Sequence, residues 1–74
     1  MSFITSLHNH YFNVSYILLP YINPTYNNNK PIVEAADKYQ LEIVKQLLQN
    51  PQVRNTLSDY VIQKLLTKFP DLII

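Results

Sequence analysis

The chain of 74 residues contains no glycine and no cysteine. Without glycine there is no phosphate-cradling loop and no dinucleotide-binding fingerprint, because both need backbone that only glycine supplies easily. Without cysteine there is no disulfide framework and no cysteine-based zinc site, which fits a reducing interior. Charge is also scarce. Charged residues make up 15% of the chain and the formal net charge is +1, too little to steer it onto nucleic acid or an anionic membrane. Long apolar runs are missing too. Tyr16–Leu19 stops at Pro20, far short of the ~20 residues a membrane span needs. The opening residues carry no Lys or Arg, and "HNH" interrupts them, so they read as neither signal peptide nor transmembrane helix.

What is present is a hydrophobic fraction of 47%, the composition of one folded domain spanning 1–74. Proline and asparagine provide the punctuation. "PYINPTYNNNK" reads as a loop over 20–30, with an asparagine run that tolerates left-handed backbone. "NPQV" (Asn50–Val53) reads as a second loop, and Pro70 ends the last helical pattern.

Between these breaks the periodicity is helical. Pro31 suits a first helical position, with Asn29 as the N-cap. Ile32, Ala35 and Ala36 form one narrow face. A second stripe of Leu41, Val44, Leu47 and Leu48, widened by Ile43, follows in a different phase. Polar Asp37, Lys38 and Gln40 lie between, so 31–49 is expected to be two short helices joined by a turn. In 56–69, Thr56 and Asp59 resemble a capping box. Leu57, Val61, Leu65 and Phe69 share a face that Ile62 and Leu66 extend, and this is expected to be the longest unbroken helix.

Phe3–Leu19 aligns without gaps on Ile32–Leu48 at a constant offset of 29 residues. Phe3 meets Ile32, Phe12 meets Leu41, Val14 meets Ile43, and Leu18-Leu19 meet Leu47-Leu48. A helix, a break and a second helix recur in one register, the mark of a repeat architecture.

These residues resemble the ankyrin repeat. Pro31-Ile32 stand at its Pro-Leu positions, Ala35-Ala36 at its paired alanines, and "LEIVKQLL" (Leu41–Leu48) follows its second helix. Val53 stands where an apolar residue tucks under that helix. The departures are Lys30 for the usual Thr, Val33 for the usual His, and an offset shorter than the usual ~33. His10 and Tyr39 occupy the position usually held by a left-handed glycine. The resemblance implies an all-α stack: a degenerate helical repeat at 2–19, a loop at 20–30, an ankyrin-like helix pair at 31–49 and a capping helix at 56–69. "YVIQKLL" (Tyr60–Leu66) echoes Glu42–Leu48, so that cap reads as a helix of the second type.

The resemblance also implies a non-enzymatic module that binds another protein through its loop and first-helix face. Those positions are Tyr21, Tyr26, Asn27, Asn29, Lys30, Asp37, Lys38 and Tyr39. Tyrosine and asparagine suit adaptable recognition, since tyrosine gives contact area at modest entropic cost. Phe3, Ile4, Phe12 and Tyr16 form a possible self-association edge, as does Leu72–Ile74 at the other end, because a short repeat stack leaves its ends open. A dimeric all-α regulator or inhibitor unrelated to ankyrin repeats is the alternative. Asn-rich, Lys-over-Arg usage suggests an AT-rich genome, such as that of an intracellular bacterium or a large virus, and a small host-interaction protein in the cytoplasm or host cytosol.

No catalytic or metal constellation is marked. His8 and His10 are two apart and share no helical face, which reads as a partly exposed turn pair. Glu34–Lys38 and Glu42–Lys45 read as surface pairs. Lys64, Lys68 and Arg54 are the cations a nucleic-acid reading would use, and the low net charge argues against it. No cofactor is expected.

Overall fold

A computed structural model describes residues 1–73. Those residues are all-α: six helices and one 3₁₀ turn, with no strand. The helices are α1 (Phe3–His8), α2 (Phe12–Leu18), α3 (Tyr26–Asp37), α4 (Leu41–Leu48), α5 (Pro51–Thr56) and α6 (Asp59–Lys68). The 3₁₀ turn is Leu19–Tyr21.

The expected break in 31–49 is present. α3 stops at Asp37 and α4 starts at Leu41, with Tyr39 at φ 55° between them. His10, at φ 62°, makes the same left-handed turn between α1 and α2. The two turns match bond for bond. His10 N–H donates to Leu7 O and Tyr11 N–H to Ser6 O; 29 residues later, Tyr39 N–H donates to Ala36 O and Gln40 N–H to Ala35 O. A hairpin this tight needs one residue with positive φ, and here two bulky residues adopt it without glycine's freedom.

The asparagine run also turns left-handed. Asn27, Asn28 and Asn29 have φ of 50°, 59° and 63°, so the first turn of α3 is wound in the opposite sense to the rest. Asparagine is among the residues that visit this region most readily. The right-handed part of α3 follows, with Pro31 near its start.

Local signals account for the other starts. Ser2 accepts from Thr5 N–H at 3.1 Å and caps α1. Asn50 accepts from Gln52 N–H at 2.8 Å and Pro51 occupies the first helical position, so "NPQV" opens α5 where a loop was expected. Val53, on α5, is fully buried. α6 is capped by Ser58, which accepts from Val61 N–H, while Thr56 closes α5. The cap therefore lies two residues later than the capping-box reading of Thr56 placed it.

The core joins α1, α3, α4, α5 and α6. Ile32, Ala35, Ala36, Val44, Val53, Leu7 and Leu65 are completely buried. The α4 stripe is buried at Ile43, Val44, Leu47 and Leu48, as expected, with Leu41 half-buried. On α6, Val61 and Leu65 are buried, and Leu57 before it and Phe69 after it are half-buried, but Leu66 is exposed and does not extend the face.

The place of α6 differs from expectation. It packs along α3, on a row with α1, instead of along α4. Its start lies by Asn29 and Val33 and its end by Asp37 and Tyr39, so it runs parallel to α3. α1 runs the same way: Phe3 lies by Pro31, and His8 reaches Glu34. The 29-residue offset continues into this row. Phe3, Ile32 and Val61 are all buried, as are Leu7, Ala36 and Leu65, and Ile4, Val33 and Ile62 are all half-buried. α6 thus shares the burial pattern of α1 and α3. At the position of Ser6 and Ala35 it carries Lys64, whose ammonium meets Asp37 at 2.8 Å.

The first unit differs inside as well. Ser6 and Ser15, the counterparts of Ala35 and Val44, are both fully buried and hydrogen-bonded to each other through their hydroxyls. Ser6 also donates to Phe3 O, and Ser15 lies within reach of Tyr11 O. Two hydroxyl protons serve three contacts, so neither of these buried hydroxyls lacks a partner.

Candidate partner-binding surface

The structure divides the expected loop-and-turn face in two. Tyr26, Asn27 and Lys30 lie at the start of α3, while Asp37, Lys38 and Tyr39 lie at its end, about 10 Å further along the axis at 1.5 Å per residue.

The turn end is engaged within the molecule. Asp37 receives Lys64 at 2.8 Å and Lys68 at 3.9 Å. The hydrogen bond from Lys64 to Asp37 raises that lysine above its ordinary pKa, outweighing the opposing effect of burial. The Tyr39 ring meets Phe69 edge-on at 6.2 Å, and the Lys68 ammonium lies 4.5 Å from its centroid. Asp37 and Tyr39 therefore fasten α6 to α3. Lys38 is half-buried, and the expected Glu34–Lys38 pair is replaced by a bond between units, from His8 Nε2 to Glu34 Oε2 at 2.9 Å. Glu34 is drawn toward α1 because α1 and α3 lie side by side.

At the loop end Asn29 was expected on the surface and is 3% exposed. Its left-handed backbone turns the side chain inward. Nδ2 then donates to Thr56 O and Thr56 Oγ1, both at 3.1 Å. Asn29 ties the loop to the end of α5 and is not available to a partner. Lys30 is half-buried. Tyr21, Tyr26 and Asn27 are exposed, Tyr21 to 83%.

The self-association edge also changes. Phe3 is a core residue, since it occupies the same place as Ile32 and Val61. Ile4 and Phe12 are half-buried against the core, and Tyr16 alone of the four is exposed. At the other end Leu72 is half-buried and Ile73 exposed, while Ile74 lies outside the described residues.

What the first unit does expose is the outer side of α2. Tyr11, Val14, Tyr16 and Ile17 are exposed, Ile17 to 65%, with Val14 and Ile17 three apart on one side of the helix and Tyr16 on another, and Tyr21 at the end of the 3₁₀ turn is exposed as well. Ser15 is the buried residue of this helix. The contrast with α4 is direct: Val14 is 39% exposed, and its counterpart Ile43 is 2% exposed. A groove of about 440 Å³ adjoins the patch, between Tyr16 and Pro20 on one side and Gln46 and Asn50 on the other.

The sequence carries a signal for this surface. The first Lys, Arg, Asp or Glu in the chain is Lys30, so the entire first unit is free of those charges. A solvent-facing helix without charge that keeps valine, isoleucine and tyrosine has the composition of an interface centre, where charged residues are depleted and aromatics enriched. All six tyrosines of the chain are exposed. Among the described residues no helix is long and apolar enough to cross a membrane. Comparison with protein-family models, with curated proteins and with solved structures returns no match.

Proposed function

We propose that the chain is a short ankyrin-like stack that binds another protein and catalyses no reaction. The observation that carries this reading is the uncharged α2 helix, which exposes Val14 and Ile17 on one side and Tyr16 on another, with Tyr11 and Tyr21 exposed near its two ends. On the other side of α3, Lys64 and Lys68 meet Asp37 and tie α6 to it. Covering this apolar surface of α2 is favourable: its burial stabilises a complex by ~25 cal/mol per Å² of area, less the cost of association. The ankyrin-like reading draws support from the 29-residue recurrence of turn bonds, the left-handed residues at its usual glycine position and the buried Ala35-Ala36 pair.

Affinity capture from the native cellular setting, with wild type and Val14→Asp/Ile17→Asp compared side by side, tests this. Both residues are exposed, so the variant keeps its fold, which circular dichroism verifies. A partner held by such residues loses at least about thirtyfold in affinity when a hot-spot contact is removed. Equal capture by both proteins, with loss on Tyr26→Ala/Asn27→Ala instead, moves the site to the loop. Sedimentation of purified wild type shows whether the covering surface is a second copy: a dimer that Ile17→Asp converts to monomer.

A further inference from the structure

A cleft of about 700 Å³ lies between α4, α5 and the tail that follows α6. Leu41, Phe69 and Leu72, all half-buried, and the nearly covered Leu48 make its apolar wall. Three cations line it: Lys45, Arg54 and Lys68. Lys68 is partly engaged, over Tyr39 and near Asp37. Lys45 and Arg54 are exposed and, among the described residues, meet no carboxylate within ion-pair distance. Asp71 is the single acid on the lining. The other acids act elsewhere or point elsewhere: Glu34 on His8, Asp37 on Lys64, and Glu42 and Asp59 outside the cleft.

The cleft therefore joins an apolar wall to an excess of positive charge. Its volume falls within the range of about 300–1,000 Å³ typical of ligand sites. We propose that it docks an acidic segment of a partner protein. One or two apolar side chains of that segment seat against Leu41, Leu48 and Phe69, and flanking Asp or Glu meets Lys45 and Arg54. Charge complementarity selects this occupant. A basic segment meets three cations, and a nucleic-acid backbone finds two free cations, an opposing Asp71 and a wall that no phosphate uses. The surface shares no residue with the α2 face and stands whether or not that face binds anything.

The test uses the intact chain and a set of fluorescein-labelled twelve-residue peptides. Each carries two leucines at varied spacing among Glu and Asp. One control series replaces the acids with Gln and Asn, another the leucines with Ser. Fluorescence anisotropy reads binding. At least one acidic, leucine-bearing peptide binds saturably, and both controls bind about tenfold more weakly or not at all. Lys45→Glu/Arg54→Glu weakens binding about tenfold, since two exposed ion pairs are lost. Raised salt weakens it further. Circular dichroism checks the fold of the double variant, and Ile17→Asp leaves the affinity unchanged. The proposal is overturned if no peptide of the set binds saturably, if the double variant binds as wild type does, if Ile17→Asp abolishes binding, or if a poly-dT oligonucleotide binds more tightly than the peptides.

Discussion

Replacing Tyr39 by alanine and, separately, by glycine tests the turn on which the helix pair depends. A residue with a β-carbon in left-handed backbone costs roughly 1–2 kcal/mol. Tyr39 recovers part of that through its ring: about 0.5–1.5 kcal/mol from the edge contact with Phe69 and about 0.5–1 from Lys68 over the face. Tyr39→Ala removes these contacts and keeps the backbone cost, so it destabilises by about 1–2 kcal/mol. Tyr39→Gly loses the same contacts and relieves the backbone, against about 0.4–1 kcal/mol of extra freedom in the unfolded chain. The glycine variant is then the more stable of the two by about 0.5–1 kcal/mol. In a right-handed helix interior the order reverses, with glycine about 1 kcal/mol worse than alanine. The sign alone decides. Thermal unfolding by far-ultraviolet circular dichroism resolves it, because 1 kcal/mol moves Tm by about 4–8 °C in a domain of this size. His10→Ala and His10→Gly repeat the order at φ 62°. An alanine variant more stable than the glycine variant at position 39 refutes the left-handed turn, and with it the division of 31–49 into two helices.

Three further outcomes are expected. Ser15→Ala alone costs about 1 kcal/mol by removing one member of a buried hydroxyl pair, while Ser6→Ala with Ser15→Val, which copies Ala35 and Val44, equals or exceeds wild type in urea unfolding. Leu65→Ala lowers the whole cooperative transition by about 2–5 kcal/mol; a major transition with unchanged midpoint would show α6 to be an appendage to the core. Asp37→Asn destabilises by less than about 1 kcal/mol at neutral pH, as partly exposed pairs do. Because Lys64 titrates higher in the folded state, its contribution is full below the ordinary lysine value of 10.5 and fades as pH rises through the higher folded value. Urea midpoints of wild type and Asp37→Asn therefore converge in strong alkali.

The elements were most legible where one local cause acts alone. The phase change between Ala36 and Leu41 marks a break in any packing, and asparagines in a run signal left-handed backbone before any contact is known. Where two causes compete, reading is harder. "NP" opens a helix as readily as it marks a loop, and in α5 the helix prevails, capped by Asn50 and anchored by the fully buried Val53. The register of α6 is masked by Lys64, since a lysine at the place of Ser6 and Ala35 hides the third recurrence of 29 residues, and "VIQKLL" matches "IVKQLL" better than it matches "IVEAAD". The interaction surface was only half legible. Tyr21, Tyr26 and Asn27 are exposed as expected, but Asn29 and Phe3 are buried by tertiary contacts that spacing does not reveal.

The parallel row has an electrostatic consequence. Aligned peptide dipoles gather partial positive charge at one end of α1, α3 and α6 and partial negative charge at the other. α1 is balanced by the returning α2, and α3 by the returning α4. Among the described residues α6 has no returning helix beside it. It carries Asp59 in its first turn and Lys68 in its last, so its own side chains supply the opposing field that a neighbour supplies to the other two.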